Sequence, residues 1–363
     1  MRITFLLPNV HISGGIVASF ELANALVDRG HQVTILYQTI PGRDGRPWWN
    51  LRKTAVQIVK GINNLLFPMK WFPLKASLIQ VSSFNQVHIP DADLLVVTWW
   101  ANVEDVMKLP RSKGAKLHFI RSLELWGGKE KHIDQAYNFD IPKIVTSTSL
   151  KQTIEHRYQK QMLGIVPDGV NTSRFKPRDS FKNKGDSLVI RIGMMYRKQK
   201  LKRMQDGLQI LSDVTARNAN VEVVLFGESI NREDKKLVSR IPKLTHHRFP
   251  NGDRLRDIYQ SLDIFLFTSG QEEAFALPPM EAMACGCAVL ATRVGALSEY
   301  SVEGETALLH EPGDIEAMIK DLELLVHDDD LRHNMAKKST KKIQGYSWKT
   351  SAIALENIAK KLN

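Results

Sequence analysis

Short apolar runs alternate with amphipathic segments along almost the whole chain. The apolar runs predict buried β-strands and the amphipathic segments predict helices crossing between them, which together favour parallel sheets covered by helices. A chain of 363 residues is long enough for two domains of this class. Strands are predicted at 3–7, 32–37, 94–98, 117–120, 143–146, 164–166, 188–192, 221–226, 264–267, 288–291 and 307–309, and helices at 15–29, 149–158, 200–217, 253–260, 279–284 and 314–327.

The segment 272–287 places two carboxylates around a predicted helix N-terminus. Glu273 and Glu281 lie eight residues apart, and between them an apolar turn leads into a helix expected to begin near Pro278 and to end at Gly286. Proline suits a first helical turn because its missing N–H would have no partner there. The free backbone N–H groups of such a turn bind anions. One short segment therefore offers carboxylates for sugar hydroxyls and amides for a phosphate.

This segment resembles the E-x7-E motif of the retaining glycosyltransferases of family four, which have the GT-B fold. The resemblance continues in chain order through 12–37, 165–177, 192–211 and 288–314, and it is weakest over 41–115. It implies an α/β protein of the GT-B fold, with two Rossmann-like, doubly wound domains facing a central cleft.

The resemblance also implies where the two domains begin and end. The stretch 167–185, rich in Pro, Asp, Asn, Lys and Gly, is expected to link them. The first domain, 1–167, would bind the acceptor, and the second, 168–346, would bind the nucleotide sugar. The last helix, 347–363, is expected to cross back to the first domain.

By this resemblance, the donor site is built from both glutamates and two loops. Glu273 would contact the donor sugar and Glu281 the ribose, while the amides between them would bind the diphosphate. A glycine pair after the first strand would lie beside the donor, although such a pair is also typical of a tight turn. Basic residues after 188–192 would hold the leaving phosphates, although they also suit a solvated surface. The residues so assigned are Gly14, Gly15, Gly193, Arg197, Lys200, Phe275, Ala276 and Leu277.

The chain departs from the family pattern at three places. Met194 stands where the family commonly has Arg, so Arg197 is the expected replacement, and Ala276 stands where Gly is frequent. A His that many members carry after a first-domain strand is missing there. His118 instead lies within the strand and is expected to be a core residue.

Arg121 and Glu124 follow that same strand and are therefore better placed than His118 to face the cleft. A branch of the family that acts on surface polysaccharides has Gln and Glu near these positions, which favours Glu124 as a site residue. The predicted catalytic residues are Glu124, Arg197, Lys200 and Glu273, with Arg121 and Trp126 on the acceptor side.

No metal site and no cofactor are predicted beyond the nucleotide-diphosphate sugar that serves as donor. Asp91 and Asp93 precede a strand, where such a pair is typical of a turn, and the histidines lack ligand spacing. Cys285 and Cys287 are separated by one residue, a spacing that seldom forms a good disulfide. They are expected to be small buried residues.

A net charge of +11 points to an anionic partner, and the segment 41–80 concentrates basic and aromatic residues. This combination suits an anionic membrane surface. The alternative is a pair of helices that pack over the first domain with the tryptophans in its core. Nucleic acid is not expected as a partner, because no recognition motif accompanies the charge. The segment contains Arg43, Arg46, Arg52, Lys53, Lys60, Lys70 and Lys75 against Asp44, with Trp48, Trp49, Phe67, Trp71 and Phe72.

No apolar run is long enough to span a bilayer, and the first strand is too short for a signal peptide. We therefore expect a cytoplasmic protein, with peripheral attachment to the inner face of the cell membrane through 41–80.

The resemblance implies a retaining, metal-independent glycosyltransferase. It would move a hexosyl or deoxyhexosyl group to a saccharide acceptor. This acceptor would be lipid-linked and would serve in the synthesis of a surface polysaccharide. Two alternatives remain open: a sugar-nucleotide epimerase of the same fold, and a non-catalytic protein that binds nucleotide sugars.

Overall fold

The computed structural model of the chain describes residues 1–38, 71–178 and 189–362. Its contacts divide it into two compact units, Met1–Gly169 with Trp348–Asn363, and Val170–Ser347. Two predicted segments lie partly outside the described residues: 41–80 up to position 70, and the linker 167–185 from position 179 onward. Within the described ranges, no helix is both long enough and apolar enough to cross a membrane.

The first unit contains a parallel sheet whose strands carry the predicted apolar runs. Among its described residues, seven strands follow the order β3-β2-β1-β4-β5-β6-β7. Helices connect β1 to β2, β4 to β5, β5 to β6 and β6 to β7, the arrangement expected for crossovers between parallel strands. The elements are β1 Arg2–Leu7, α1 Gly14–Asp28, β2 Gln32–Gln38, β3 Ser77–Val81, β4 Leu94–Val97, α2 Val103–Met107, β5 Ala115–Ile120, α3 Glu130–Asn138, β6 Lys143–Val145, α4 Thr148–Tyr158 and β7 Gly164–Ile165.

The second unit repeats this architecture with a smaller parallel sheet. Its described residues form six strands in the order β10-β9-β8-β11-β12-β13. The elements are β8 Ile190–Tyr196, α5 Met204–Arg217, β9 Val221–Gly227, α6 Lys235–Val238, β10 Leu244–Arg248, α7 Gly252–Ser261, β11 Ile264–Phe267, α8 Leu277–Ala284, β12 Ala288–Thr292, α9 Leu297–Tyr300, β13 Leu308–His310, α10 Ile315–His327 and α11 Asp329–Ile343.

The strand predicted at 188–192 extends further than expected. Position 188 lies outside the described residues, and β8 runs from Ile190 to Tyr196. The apolar run extends through Met194, Met195 and Tyr196, and burial of this central strand continues with it. Gly193 therefore lies inside the strand, not in the loop that follows it.

The strand order reverses between β1 and β4 in the first sheet and between β8 and β11 in the second. At such a point the loops after the two central strands diverge to opposite faces and leave a crevice at the carboxyl edge. The loops that begin after Leu7 and Val97 flank this point in the first unit. Those that begin after Tyr196 and Phe267 flank it in the second.

The last helix, α12 (Trp348–Leu362), belongs to the first unit and packs on α1. Its Glu356 accepts two hydrogen bonds from Arg29, at 2.5 and 2.7 Å, and lies 2.8 Å from His31 Nε2. The hydrogen bonds from Arg29 and then from His31 lower the pKa of Glu356 to about 2, against the opposing effect of burial. The Ser351 hydroxyl also donates to the Pro167 carbonyl.

The described end of the basic segment, 71–80, packs against the first unit. The rings of Trp71 and Phe72 lie 5.6 and 5.4 Å from Phe20 of α1, and Phe72 is buried. Lys75 forms an ion pair with Asp28 at 2.6 Å. For these residues the alternative of packing against the first domain fits better than insertion into a membrane.

Candidate functional site

The turn between β11 and α8 presents free backbone amides at the carboxyl edge of the second sheet. The N–H groups of Phe275, Ala276 and Leu277 have no hydrogen-bond acceptor among the described residues. Pro278 and Pro279 lack an N–H, so the donors of this helix start are concentrated in the three residues before them. Three adjacent amides without an acceptor at a helix N-terminus are suited to an anion, which is the role predicted for this turn.

The backbone is strained around this edge. Arg203, Phe249 and Ala276 adopt left-handed conformations, with φ of 45°, 46° and 63°, and each follows a different strand of the second sheet. Such a conformation costs a non-glycine residue about 1 kcal/mol or more. A glycine at the position of Ala276 would avoid this cost. The Tyr300 hydroxyl donates to the Ala276 carbonyl at 2.6 Å and helps to hold this turn.

Glu273 is paired with Lys202 at the same edge. Lys202 Nζ donates to Glu273 Oε2, which also accepts a 2.8 Å hydrogen bond from the Ser269 hydroxyl. The side chains of Lys202 and Glu273 are only 17% and 12% exposed, so their charges are partly shielded from water. The Thr268 hydroxyl donates to the Lys202 carbonyl, and Gly270 N–H donates to the Leu201 carbonyl. These bonds tie together the loops after β8 and β11.

The two basic residues predicted to bind the phosphates differ in their burial and in their ion pairs. Arg197 is half-buried, with Nη1 at 3.6 Å from Glu228 Oε1, so part of its charge is balanced inside the second unit. Lys200 is exposed and has no ion pair among the described residues. The lysine beside Glu273 is therefore Lys202, two residues further along a short 3₁₀ turn. The sequence did not distinguish the two.

The glycines predicted for the donor fall into two groups. A Cβ on Gly193 would lie 2.1 Å from Leu262 Cδ1, so core packing by itself requires glycine there. Around Gly14 and Gly15, no atom of the described residues outside their chain neighbours and their own helix lies within 4 Å of such a Cβ, which leaves space for close approach of a ligand. Both open α1 directly after β1, at the crevice of the first sheet.

Glu281 lies within α8 and is half-buried. Its Oε2 accepts a 2.9 Å hydrogen bond from the hydroxyl of Tyr259, a fully buried residue of α7. Burial, and then the charge of Glu281, raises the pKa of Tyr259 well above its usual range. Tyr259 therefore remains a neutral donor that orients the carboxylate.

Arg121 and Asp168 form a buried ion pair at the carboxyl edge of the first sheet. They follow β5 and β7, and their side chains are 9% and 7% exposed. The Arg121 guanidinium lies 4.9 Å from the Phe119 ring centroid, while Nε and Nη1 have no acceptor in the described part of the chain. Burial raises the pKa of Asp168 against the lowering effect of Arg121. No pattern in the sequence indicates Asp168 as the partner of Arg121.

His118 and Glu124 are both buried in the first unit. His118 lies in β5, and burial, followed by the charge of Lys143, lowers its pKa to about 3. It is a core residue as expected, but its Nδ1 has no partner among the described residues, so it is not fully satisfied. Glu124 begins the turn after β5, and Trp126 lies in the short 3₁₀ helix Leu125–Gly127. Burial raises the pKa of Glu124 well above its usual range.

Cys285 and Cys287 are both buried and do not form a disulfide, as predicted. In the ranges 1–38, 71–178 and 189–362, no three side chains of His, Cys, Asp or Glu gather at a common point.

Residues 173–342, almost the whole second unit, match the family model described as glycosyl transferases group 1. The second unit of the chain is therefore similar to this family. Among curated proteins, the chain is 28% identical over 174 residues to sulfoquinovosyl transferase SQD2 of Arabidopsis thaliana, covering 47% of this chain and 32% of that protein. It is 26% identical over 247 residues to lipopolysaccharide 1,2-N-acetylglucosaminetransferase of Salmonella typhimurium, covering 62% and 65%.

The chain thus spans one third to two thirds of the length of these two relatives. Among solved structures, Anabaena HepE in complex with UDP and glucose superposes with a TM-score of 0.72 at 15% identity, covering 99% of this chain and 100% of that one. This likeness shows the fold, which is GT-B with two Rossmann-like domains, as predicted.

Proposed function

We propose that the chain is a retaining, metal-independent glycosyltransferase that moves a sugar from a nucleotide-diphosphate donor to a saccharide acceptor. The observation that carries this proposal is the row of three amides at 275–277 that have no acceptor in the described part of the chain, beside the Lys202–Glu273 pair. Charge builds on the diphosphate as the glycosidic bond breaks, and preorganised donors and cations stabilise it. In this proposal the amides, Lys202 and Arg197 balance that charge instead of a bound metal ion.

The proposed reaction is a front-face displacement. The bond between the anomeric carbon and the diphosphate oxygen breaks, and its electron pair stays on the diphosphate. The acceptor hydroxyl oxygen forms the new bond on the same face and gives its proton to the departing phosphate oxygen. Glu273, oriented by Lys202 and Ser269, would hold hydroxyls of the donor sugar, and Glu281 would hold the ribose. Gly14 and Gly15 would let the backbone at the start of α1 approach a ligand closely.

The relatives indicate which substrates to test first. HepE binds UDP and glucose, and the Salmonella relative is named for transfer of N-acetylglucosamine to lipopolysaccharide. UDP-sugars are therefore the first donors to test here. The first acceptor to test is a lipid-linked saccharide that belongs to a surface polysaccharide. Incubation with labelled donor alone separates transfer from epimerisation, because an epimerase converts the donor sugar without any acceptor.

Glu281→Ala is expected to weaken binding of free UDP about tenfold or more, because the variant loses hydrogen bonds between a charged group and the ribose. Glu273→Ala is expected to cut turnover while leaving UDP affinity nearly unchanged, because its partner would be the sugar. Calorimetric titration with UDP and donor turnover measure the two effects. Glu272→Ala, in the exposed neighbouring carboxylate, is the control. Wild-type UDP affinity in Glu281→Ala would remove the ribose assignment.

We also propose peripheral attachment to an anionic membrane through 41–70, which carries six basic residues against Asp44. The chain should co-sediment with vesicles containing phosphatidylserine, and less so as salt rises, since each basic residue contributes about 1 kcal/mol near such a surface. Arg52→Glu with Lys53→Glu should reduce binding. Lys337→Glu with Lys341→Glu, in exposed residues of α11, makes the same charge change and should not. An equal loss of vesicle binding in the two double variants would indicate a non-specific effect of net charge.

A further inference from the structure

Glu124 occupies an unusual environment for a carboxyl group. It begins the turn after β5, at the carboxyl edge of the first sheet, and only 8% of its surface is exposed. The backbone N–H of Trp100 makes a long contact, 3.5 Å, with Oε2. Oε1 has no hydrogen-bond partner, and neither oxygen meets a Lys or Arg, within the described residues. A carboxyl group so placed is desolvated without a compensating charge.

Two tryptophans after β4 form a wall beside this carboxyl. The rings of Trp99 and Trp100 lie 5.9 Å apart with a 43° tilt, and Trp99 is half-buried. Trp100 is 4% exposed, and its indole Nε1, which can only donate, has no acceptor in the described part of the chain. A buried donor without an acceptor is costly, which points to a ligand that supplies one.

Gly127 fixes this wall against the turn that carries Glu124. A Cβ at this position would lie 2.6 Å from Trp99 Cη2 and 2.9 Å from Trp100 Nε1. The Gly127 N–H also donates to the Glu124 carbonyl at 2.8 Å, which closes the turn. The aromatic wall, the indole donor and the carboxyl group are therefore held by one short, tightly packed segment. Aromatic faces combined with a few oriented donors and acceptors are what recognises a sugar ring with its hydroxyls.

The protonation state follows from these surroundings. Burial raises the pKa of Glu124 well above its usual range, and the contact from Trp100 opposes this only in part. Among the described residues, the titratable group that faces it is Tyr137 of α3, whose hydroxyl donates to the Ser122 carbonyl at 3.1 Å. Burial, and then Glu124 itself, raises the pKa of Tyr137, so this neighbour contributes no charge.

We infer that Glu124 works as a neutral carboxylic acid, which donates its hydrogen bond to a hydroxyl of a neutral saccharide acceptor beside Trp99 and Trp100. This rests on the proposed function for the presence of an acceptor. It changes the role of Glu124 from the catalytic one predicted by resemblance to one of binding and orienting the acceptor. A carboxylate at this position would accept hydrogen bonds but could not donate one.

The protonation is tested on the full chain without any substrate. Above about pH 4.5 the unfolded chain releases the Glu124 proton and the folded chain keeps it. The unfolding constant of the wild type should therefore rise relative to that of Glu124→Gln by up to about tenfold per pH unit. Glu104→Gln, at an exposed position of α2, should show no such slope. Infrared spectroscopy should show a protonated carboxyl band at neutral pH that Glu124→Gln lacks. A flat stability difference or an absent band overturns the inference.

The saccharide contact is tested by tryptophan fluorescence, titrating methyl glycosides of glucose, galactose, mannose and N-acetylglucosamine. Affinity for at least one of them should fall about tenfold in Glu124→Ala and much less in Glu124→Gln, because the amide still donates. The wild type should lose affinity as pH rises through the pKa of Glu124, and Glu124→Gln should not. No response to any glycoside, or equal losses in both variants, overturns the contact. Failure to bind UDP would count against the proposed function and leave these measurements valid, since they use no donor.

Discussion

Replacing Lys202 with alanine is expected to slow sugar transfer about 10²–10³-fold, the usual effect of removing one preorganised electrostatic contact to a developing charge. The loss should fall on kcat and only weakly on UDP affinity, since the charge on the diphosphate is largest as it departs. Lys202 is 17% exposed and bonded to Glu273, so its charge acts in a partly desolvated setting. Steady-state kinetics with a UDP-sugar, together with calorimetric titration of UDP, separate the two effects.

Lys200→Ala is the matched control for this prediction. Both lysines lie in the same 3₁₀ turn, yet Lys200 is exposed and has no ion pair in the described residues, so its loss should be much milder. Lys202→Arg keeps the charge and should retain more activity than Lys202→Ala. A larger loss in Lys200→Ala than in Lys202→Ala would restore the assignment made from the sequence and would show that the Lys202–Glu273 pair is structural.

The central strands could be predicted because burial on both faces requires a continuous run of apolar residues, which is visible in the sequence. The run 264–267 was predicted with the bounds that β11 has, and all four of its residues are buried. The strands β3 and β10 were not predicted. Each lies at an edge of its sheet, and apart from Val81 all of their residues are exposed or half-buried. The sequence of β10 is Leu-Thr-His-His-Arg. Such a segment cannot be distinguished from a loop by apolar content.

The anion-binding turn was predictable for a similar reason, since a strand, a turn and paired prolines are local in sequence. The pairing of charges around it was not local. The register of Lys202 against Glu273 depends on the left-handed turn at Arg203 and on bonds from Thr268, none of which a run of basic residues reveals. The partners Arg121 and Asp168 are likewise 47 residues apart and meet only because β5 and β7 end at the same edge.

That second pair carries the largest expected effect on stability. Arg121→Ala should lower the free energy of unfolding of the first unit by about 3–5 kcal/mol, because it leaves the buried carboxylate of Asp168 without its cation. Hydrogen exchange of the β5 and β6 amides during urea denaturation of the full chain reports on this unit. Arg2→Ala breaks an Arg–Asp pair in the same unit whose side chains are 54% and 38% exposed. Loss of that surface pair should lower the free energy of unfolding by about 1 kcal/mol or less.

The pH dependence identifies the buried charge as the cause. Burial already raises the pKa of Asp168 above its ordinary 3.8, and loss of Arg121 removes the effect that opposes this rise. The folded variant must then take up a proton that the unfolded chain has released, so its stability should fall as pH rises above about 4. Adding Asp168→Asn removes the charge, and the double variant should be more stable at neutral pH than Arg121→Ala alone, with no such slope. If the single variant is instead destabilised equally at all pH values, lost packing against Phe119 accounts for the effect and the charge does not.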